Sequence, residues 1–272
     1  MKRVQPFHLI AILLIAGIFS AAPRICAAGT PSEQGPIPQS NIPPYIIGAV
    51  NSPKRPAADK ALDSGRKPAQ MMAFFGIKPG MKVADIWAGG GWTTELLSLI
   101  VGPDGKVYSL NRPLPPHSKA LQAWRARRKT AKNIVEIEQP FGREPLLPVK
   151  RGALDAVIIN MNYHDLVHIG VDMRRFNNSI YKFLKPGGVY GIVDNSAKAG
   201  TGAQDVGTIH RIDEQYVINQ VEQANFVLAA SSGVLRNPKD DRTWFIMKHR
   251  GQQDRFMLKF VKPASAHNQT QP

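Results

Sequence analysis

Three glycines in succession, Gly89, Gly90 and Gly91, most constrain what this chain can fold into. They stand where the apolar run 82–87 ends and a helical pattern over 92–101 begins. Glycine tolerates backbone angles that other residues avoid, and it lets a ligand approach the backbone closely. The helix N-terminus behind it offers free N–H groups to an anionic or carboxylate ligand. A bare turn needs one glycine; three at a strand–helix junction point to a ligand site. The ligand is not a standard dinucleotide or nucleoside triphosphate. Gly89, Gly91 and Thr94 lack the third glycine of G-x-G-x-x-G, and no Gly-Lys-Ser/Thr follows.

The rest of the chain repeats the alternation. Pro68 suits the first turn of a helix that buries Met71, Met72, Phe74 and Phe75 and stops at Gly76. Strands are predicted at 82–87, 106–110, 134–137, 154–160, 189–193, 226–230 and 255–261, with helices at 92–101, 118–132, 172–184 and 213–224 between them. The run 154–160 is almost continuously apolar, as in a central strand covered on both faces. Lys185, Pro186, Gly187 and Gly188 read as a turn before the fifth strand. Such alternation predicts an α/β fold with a doubly wound, mostly parallel sheet, whose ligands bind beyond the strands' carboxyl ends.

Residues 1–28 read as a signal peptide: Lys2 and Arg3, then an apolar stretch at 9–22, then the small-residue site Cys26, Ala27, Ala28. The stretch is shorter than the about 20 residues a span needs. The expected location is periplasmic or secreted, the alternative being inner-membrane anchoring by an uncleaved leader. Cys26 is the chain's one cysteine, so cleavage after Ala28 would leave no disulfide or cysteine metal site. Residues 29–56, rich in Pro, read as a linker or arm in which Tyr45, Ile46 and Ile47 can dock; the domain is expected over 57–263 and a frayed tail over 264–272. The net charge is +15. Export makes nucleic acid the least suited of the anionic partners. The basic run Lys119, Arg125, Arg127, Arg128, Lys129, Lys132 is either a solvated helix face or a contact to an anionic membrane surface or acidic substrate.

Asp85 followed by Gly89 and Gly91 resembles the first motif of class I S-adenosylmethionine-dependent methyltransferases. The lead-in 78–85, the strand start Leu154, Asp155, Ala156, Val157 and the turn 184–188 are similar as well. Tyr163-His164-Asp165, the segment 210–214 and the segment 255–260 resemble a family of exported, predicted methyltransferases. The resemblance implies a seven-stranded Rossmann-like sheet with one antiparallel strand and S-adenosylmethionine as cofactor. It places that cofactor against Asp85, Ala88, Gly89, Gly90, Gly91, Asn111, Gln139 and Asn160. There are departures: Trp87 stands where a glycine is common, Asn111 replaces the acid that usually holds the ribose, and Gln139 follows strand three. An amide can hydrogen-bond a hydroxyl but without a charge-assisted bond.

Methyl transfer from a sulfonium is a displacement in which the protein mainly positions donor and nucleophile. A base is needed only if the nucleophile must lose a proton. Tyr163, His164 and Asp165 directly follow the central strand and are the catalytic candidates, with His164 as base and Asp165 as its orienting partner. The structural alternative is a helix-capping Asp165 and a packed His164. His210, Arg211, Asp213 and Glu214 either close over a substrate or cap a helix. The spacing of His164, His168 and His210 matches no recognised ligand pattern, so no metal is expected. Three functions stay open: an exported methyltransferase acting on a small-molecule or envelope substrate, a non-catalytic periplasmic binding module that keeps the fold, and a membrane-surface protein that binds anionic lipid or polymer through its basic helix.

Overall fold

The structure, a computed structural model, describes Met1 and residues 32–264. The expected signal peptide with Cys26, and nearly all of the expected tail, lie outside the described residues.

In chain order the elements are strand β1 (Ser32–Gln34), helices α1 (Pro44–Asn51), α2 (Ala57–Lys60), α3 (Asp63–Arg66) and α4 (Pro68–Phe75), then strand β2 (Lys82–Ile86) and helix α5 (Trp92–Val101). Strand β3 (Lys106–Asn111), helix α6 (Lys119–Thr130), strand β4 (Ile134–Glu138) and strand β5 (Leu154–Asn160) follow. Then come helices α7 (Tyr163–His168) and α8 (Met173–Phe183), strand β6 (Leu184–Asn195), helix α9 (Glu214–Glu222), and strands β7 (Val227–Ser232) and β8 (Arg255–Val261). Caps follow the sequence: Ser118 accepts from the Leu121 N–H, Asp172 from that of Arg175 and Asp213 from that of Gln215.

The strands form one sheet in the order β1-β7-β8-β6-β5-β2-β3-β4. Every pairing is parallel except those of β8, which runs antiparallel to β6 and β7. A core lies on each face. Ala156 and Ile158 of β5 pack toward Ile46, Met71, Phe75 and Leu96, while Val157 and Ile159 pack toward Phe176, Ile180, Val217 and Val221. That two-sided burial is why the β5 sequence is apolar throughout rather than alternating. Each such aliphatic side chain contributes about 1.5–3 kcal/mol when fully buried.

The doubly wound, mostly parallel sheet is therefore as expected, with differences in detail. The stretch expected as a linker or arm adds an eighth strand, β1, parallel to β7, and a packed helix, α1. Ile42, Ile46 and Ala49 are buried, and their apolar area, with Pro44 suited to the helix's first turn, outweighs the proline content. The residues read as a turn at 185–188 lie within β6 as an irregularity: Leu184 pairs with Leu154, and pairing resumes at Val189 with Ala156. Arg127 does not join the basic outer face of α6. It is buried, donating to the Gly90 carbonyl and pairing with Asp59, while Arg125, Arg128 and Lys129 are exposed. Among the described residues no helix is long and apolar enough to cross a membrane.

Candidate active site

Strand β2 lies between β3 and β5, so the chain winds away from β2 in both directions. A crevice opens at the carboxyl ends of β2 and β5, where open α/β sheets bind ligands. A cavity of about 810 Å³ occupies it, lined by Ala88, Gly89, Gly90, Asn160, His164 and Asp165 among others. Pockets of roughly 300–1,000 Å³ suit small-molecule ligands.

The glycine loop is a strained, fastened turn. Trp87, Gly89 and Gly91 all take positive φ, at 61°, 55° and 86°. The Gly89 N–H donates to Asn111 Oδ1 at 2.8 Å, and Asn111 Nδ2 donates back to the Gly89 carbonyl at 3.2 Å. Trp87 stacks on Phe141 with ring centroids 4.6 Å apart. Beneath the loop, Thr94 Oγ1 donates to Asp85 Oδ2 at 2.5 Å and lies 3.0 Å from Ser109 Oγ. Burial pushes the Asp85 carboxyl up to about 7, against the pull of the Thr94 hydrogen bonds.

The structure thus divides the expected cofactor set. Ala88, Gly89, Gly90 and Asn160 line the cavity; Asp85, Gly91, Asn111 and Gln139 do not. Asp85 is the loop's buried support, and Asn111 its latch. A Cβ on Gly91 would stand 2.7 Å from Trp124 Cε3, so α6 packing by itself requires that glycine. Gln139 Nε2 donates to the Pro145 and Leu146 carbonyls at 3.0 and 2.8 Å and holds a loop.

The catalytic candidates divide too. Consecutive side chains on a helix turn point in different directions, so the first turn of α7 aims His164 and Asp165 at the cavity and Tyr163 at the core. The buried Tyr163 hydroxyl accepts from Asn177 Nδ2 at 3.0 Å, and burial raises its pKa above the ordinary phenol range. His164 Nδ1 lies 2.7 Å from Asp194 Oδ1, and the His164 backbone N–H donates to Asp194 Oδ2 at 2.8 Å. That second bond satisfies an otherwise orphaned N–H in the first turn of α7. His164 Nε2 lies 3.3 Å from both Asp165 Oδ1 and His210 Nδ1, and His210 Nδ1 lies 3.3 Å from Asp165 Oδ1.

With no cation in the cluster, burial disfavours the His164 charge, but Asp194 and Asp165 override it and raise the imidazole to about 10. Asp165 is held below the usual carboxylate range, His164 overcoming its burial.

Two buried carboxylates end strands here, and only Asp85 was read from the sequence. Asp194 and Asn195 close β6 as Asn160 closes β5, so the apolar run 189–193 followed by polar residues was the available signal. Asn195 is 1% exposed, lines the cavity, and finds no hydrogen-bond partner for either amide atom among the described residues. Of the 210–214 segment only His210 lines the cavity. Arg211 is fully buried against Asp240 at 2.8 Å, Asp213 caps α9, and Glu214 pairs with Arg236.

Part of the lining is basic, which no sequence pattern revealed. Arg66, Arg250 and Arg255 all line the cavity. Arg66 lies over the Trp92 ring, 4.7 Å from its centroid, and is lowered to about 10 by burial and then by Arg250 and Arg255. Burial also lowers Arg255, which donates to the Gly65 carbonyl at 2.5 Å. The wall carrying Arg66 is set by Arg55, whose guanidinium donates to both Asp63 oxygens at 2.6 and 2.7 Å.

A family model described as protein-L-isoaspartate(D-aspartate) O-methyltransferase matches residues 50–233. An arsenite methyltransferase of Halobacterium salinarum is 32% identical over 123 residues, 45% of this chain and 29% of the relative. Protein-L-isoaspartate O-methyltransferase 1 of Arabidopsis thaliana is 28% identical over 113 residues, 41% of this chain and 45% of the relative. The chain thus spans less than half the length of either curated relative. Among solved structures, a SAM-dependent methyltransferase from Aquifex aeolicus superposes with a TM-score of 0.52 at 18% identity, over 76% of this chain and 98% of that one. An arsenic(III) S-adenosylmethionine methyltransferase from Chlamydomonas reinhardtii gives 0.53 at 14%, over 81% and 74%. At such identities the likeness establishes the fold, that of class I methyltransferases.

Proposed function

The chain belongs to the protein-L-isoaspartate(D-aspartate) O-methyltransferase family, and from that premise we propose that it transfers a methyl group from S-adenosylmethionine to an anionic oxygen of its acceptor. The observation that carries the reading is one cavity lined both by the glycine loop, through Gly89 and Gly90, and by three arginines, Arg66, Arg250 and Arg255. Three guanidiniums in one lining favour carboxylates in the cavity.

Chemistry agrees with that acceptor class. An ionised carboxylate is already a nucleophile, so no residue has to remove a proton from it. The chain's task is to aim the oxygen at the methyl carbon in line with the departing sulfur. Ala88, Gly89, Gly90 and Asn160 are assigned to the cofactor, while His164, Asp165 and Asn195 face the acceptor. The arsenite-methylating relative suggests another acceptor, but a soft arsenic centre calls for thiolates. The one cysteine, Cys26, lies outside the described residues.

The reading includes export. Its support is the sequence of residues 1–28: a positive start, an apolar stretch too short to span, and a small-residue site. The acceptor then belongs to the cell envelope or is a small molecule reaching it. Calorimetry with S-adenosylmethionine and S-adenosylhomocysteine tests the cofactor, and Gly89→Ala should weaken both. Absence of binding by the full chain would refute the proposal. Binding without methyl transfer to any carboxylate-bearing peptide or small molecule would instead favour a non-catalytic module.

A further inference from the structure

We propose that His164 Nε2, His210 Nδ1 and Asp165 Oδ1 form a binding site for one divalent transition-metal ion, with zinc the closest chemical match. The three atoms stand at the corners of a triangle whose sides are each 3.3 Å. Four ligands held tetrahedrally about 2.0–2.1 Å from zinc are separated by roughly 3.3–3.4 Å. The triangle therefore has the size of three corners of a zinc site.

Direct hydrogen bonding explains the spacing less well. Charge-assisted N–H···O bonds shorten to about 2.7–2.9 Å. The same imidazole makes one of that length on its other side, 2.7 Å from Nδ1 to Asp194. At Nε2 the atoms stand 3.3 Å from one another, longer than that bond. Two imidazole nitrogens and a carboxylate oxygen are lone-pair donors, and their convergence calls for a positive charge at the centre.

The surroundings are those of a metal site. A ligating histidine usually donates its second ring N–H to a carboxylate, which fixes the tautomer and ring orientation. Asp194, fully buried, takes that role and also accepts the His164 backbone N–H. The ligating carboxylate is held as well, Asn162 Nδ2 donating to Asp165 Oδ2 at 3.0 Å. Three protein ligands leave one position open, the pattern of a catalytic rather than a structural ion. All three ligating residues line the cavity, as does Asn195, whose buried amide lacks a partner among the described residues. An oxygen of a bound molecule at the open position would lie within the cavity that also holds the glycine loop.

The site stands independently of methyl transfer, and its test needs no turnover. The full chain is stripped with chelator and titrated with zinc by calorimetry, and cobalt(II) is added in parallel as a spectroscopic probe. One equivalent of zinc should bind, and cobalt should give the intense visible bands of a four-coordinate site. His210→Ala and Asp165→Asn, both at partly exposed residues, should each lower zinc affinity at least about tenfold. Asp194→Asn should lower it about 10- to 100-fold without removing a ligand, and His117→Ala should leave it unchanged. His164→Ala is the harsher variant because that residue is buried, so the two partly exposed ligands carry the test. No zinc binding, or binding equal in wild type, His210→Ala and Asp165→Asn, overturns the proposal. S-adenosylhomocysteine titrated into the stripped chain reports separately on the proposed function.

Discussion

Replacing Gly91 or Gly89 with alanine separates two reasons for a glycine. Both take positive φ, 86° and 55°. A Cβ in the left-handed region costs about 1–2 kcal/mol. At Gly91 the new methyl would also stand 2.7 and 2.9 Å from Trp124 Cε3 and Cζ3 and 3.0 Å from Arg127 Cδ. These are not flexible ends. Trp124 is 2% exposed with its Nε1 bonded to Glu136, and Arg127 is held by Asp59 and Gly90. Overpacking of that kind adds about 1–3 kcal/mol. Gly91→Ala should therefore lose about 2–5 kcal/mol. At Gly89 a Cβ meets nothing within 4 Å, so Gly89→Ala should lose only the backbone cost of about 1–2 kcal/mol. That methyl would project into the cavity, and S-adenosylmethionine affinity should fall at least tenfold. Urea unfolding followed by circular dichroism measures the first quantity and calorimetry the second. Equal stability losses in the two variants, or a Gly89→Ala protein with wild-type affinity, would refute the division of labour drawn for the loop.

Asp85 should make stability fall as pH rises from mildly acidic to neutral. Its carboxyl is raised from an ordinary 3.8 to about 7, so the folded state holds the proton more tightly, and stability present below pH 3.8 is lost as pH rises toward 7 and through it. The full effect is at most about 4 kcal/mol, and Asp85→Asn, which still accepts from Thr94, should flatten the slope of unfolding free energy between pH 4 and 7. Asn111→Ala removes both latching hydrogen bonds of Gly89 and should cost about 1–3 kcal/mol, with cofactor affinity falling although Asn111 itself does not line the cavity; unchanged affinity would show that the loop holds its shape without the latch. Gly191→Ala places a Cβ 2.8 Å from Ile158 Cδ1 and Phe75 Cδ1 and should cost about 1–3 kcal/mol by overpacking, measured by the urea midpoint, while ligand affinity stays at the wild-type value. Intact-mass measurement on protein from its native host should show a chain lacking residues 1 to about 28; recovery of the full 29.9 kDa species from membranes would contradict export.

The sheet was legible because its information is local. Short strands with apolar faces, glycine at the strand–helix junction and Ser118, Asp172 and Asp213 as caps are each decided by neighbours within a few residues. The position of a ligand crevice followed from topology, and with it the placement of Gly89, Gly90, Asn160, His164 and Asp165. The β1 strand was not legible, because three residues without an apolar pattern are ordered only by pairing with β7, almost 200 positions away in sequence. Nor could the sequence divide the glycines by role. Gly89 and Gly91 differ only in what stands opposite them, and Trp124 arrives there on a different helix. The polar cluster is the strongest case. Asp194 and His210 stand 30 and 46 residues from His164 along the chain, and each alone reads as an ordinary histidine or aspartate. Only the parallel pairing of β5 with β6, which sets α7 above the end of β6, brings a buried carboxylate against the imidazole and leaves its other nitrogen facing His210. Local periodicity determines which residues are strand, helix and loop. Charge, tautomer and metal affinity depend on separations of a few ångströms between distant segments, and those distances exist only once the sheet has formed.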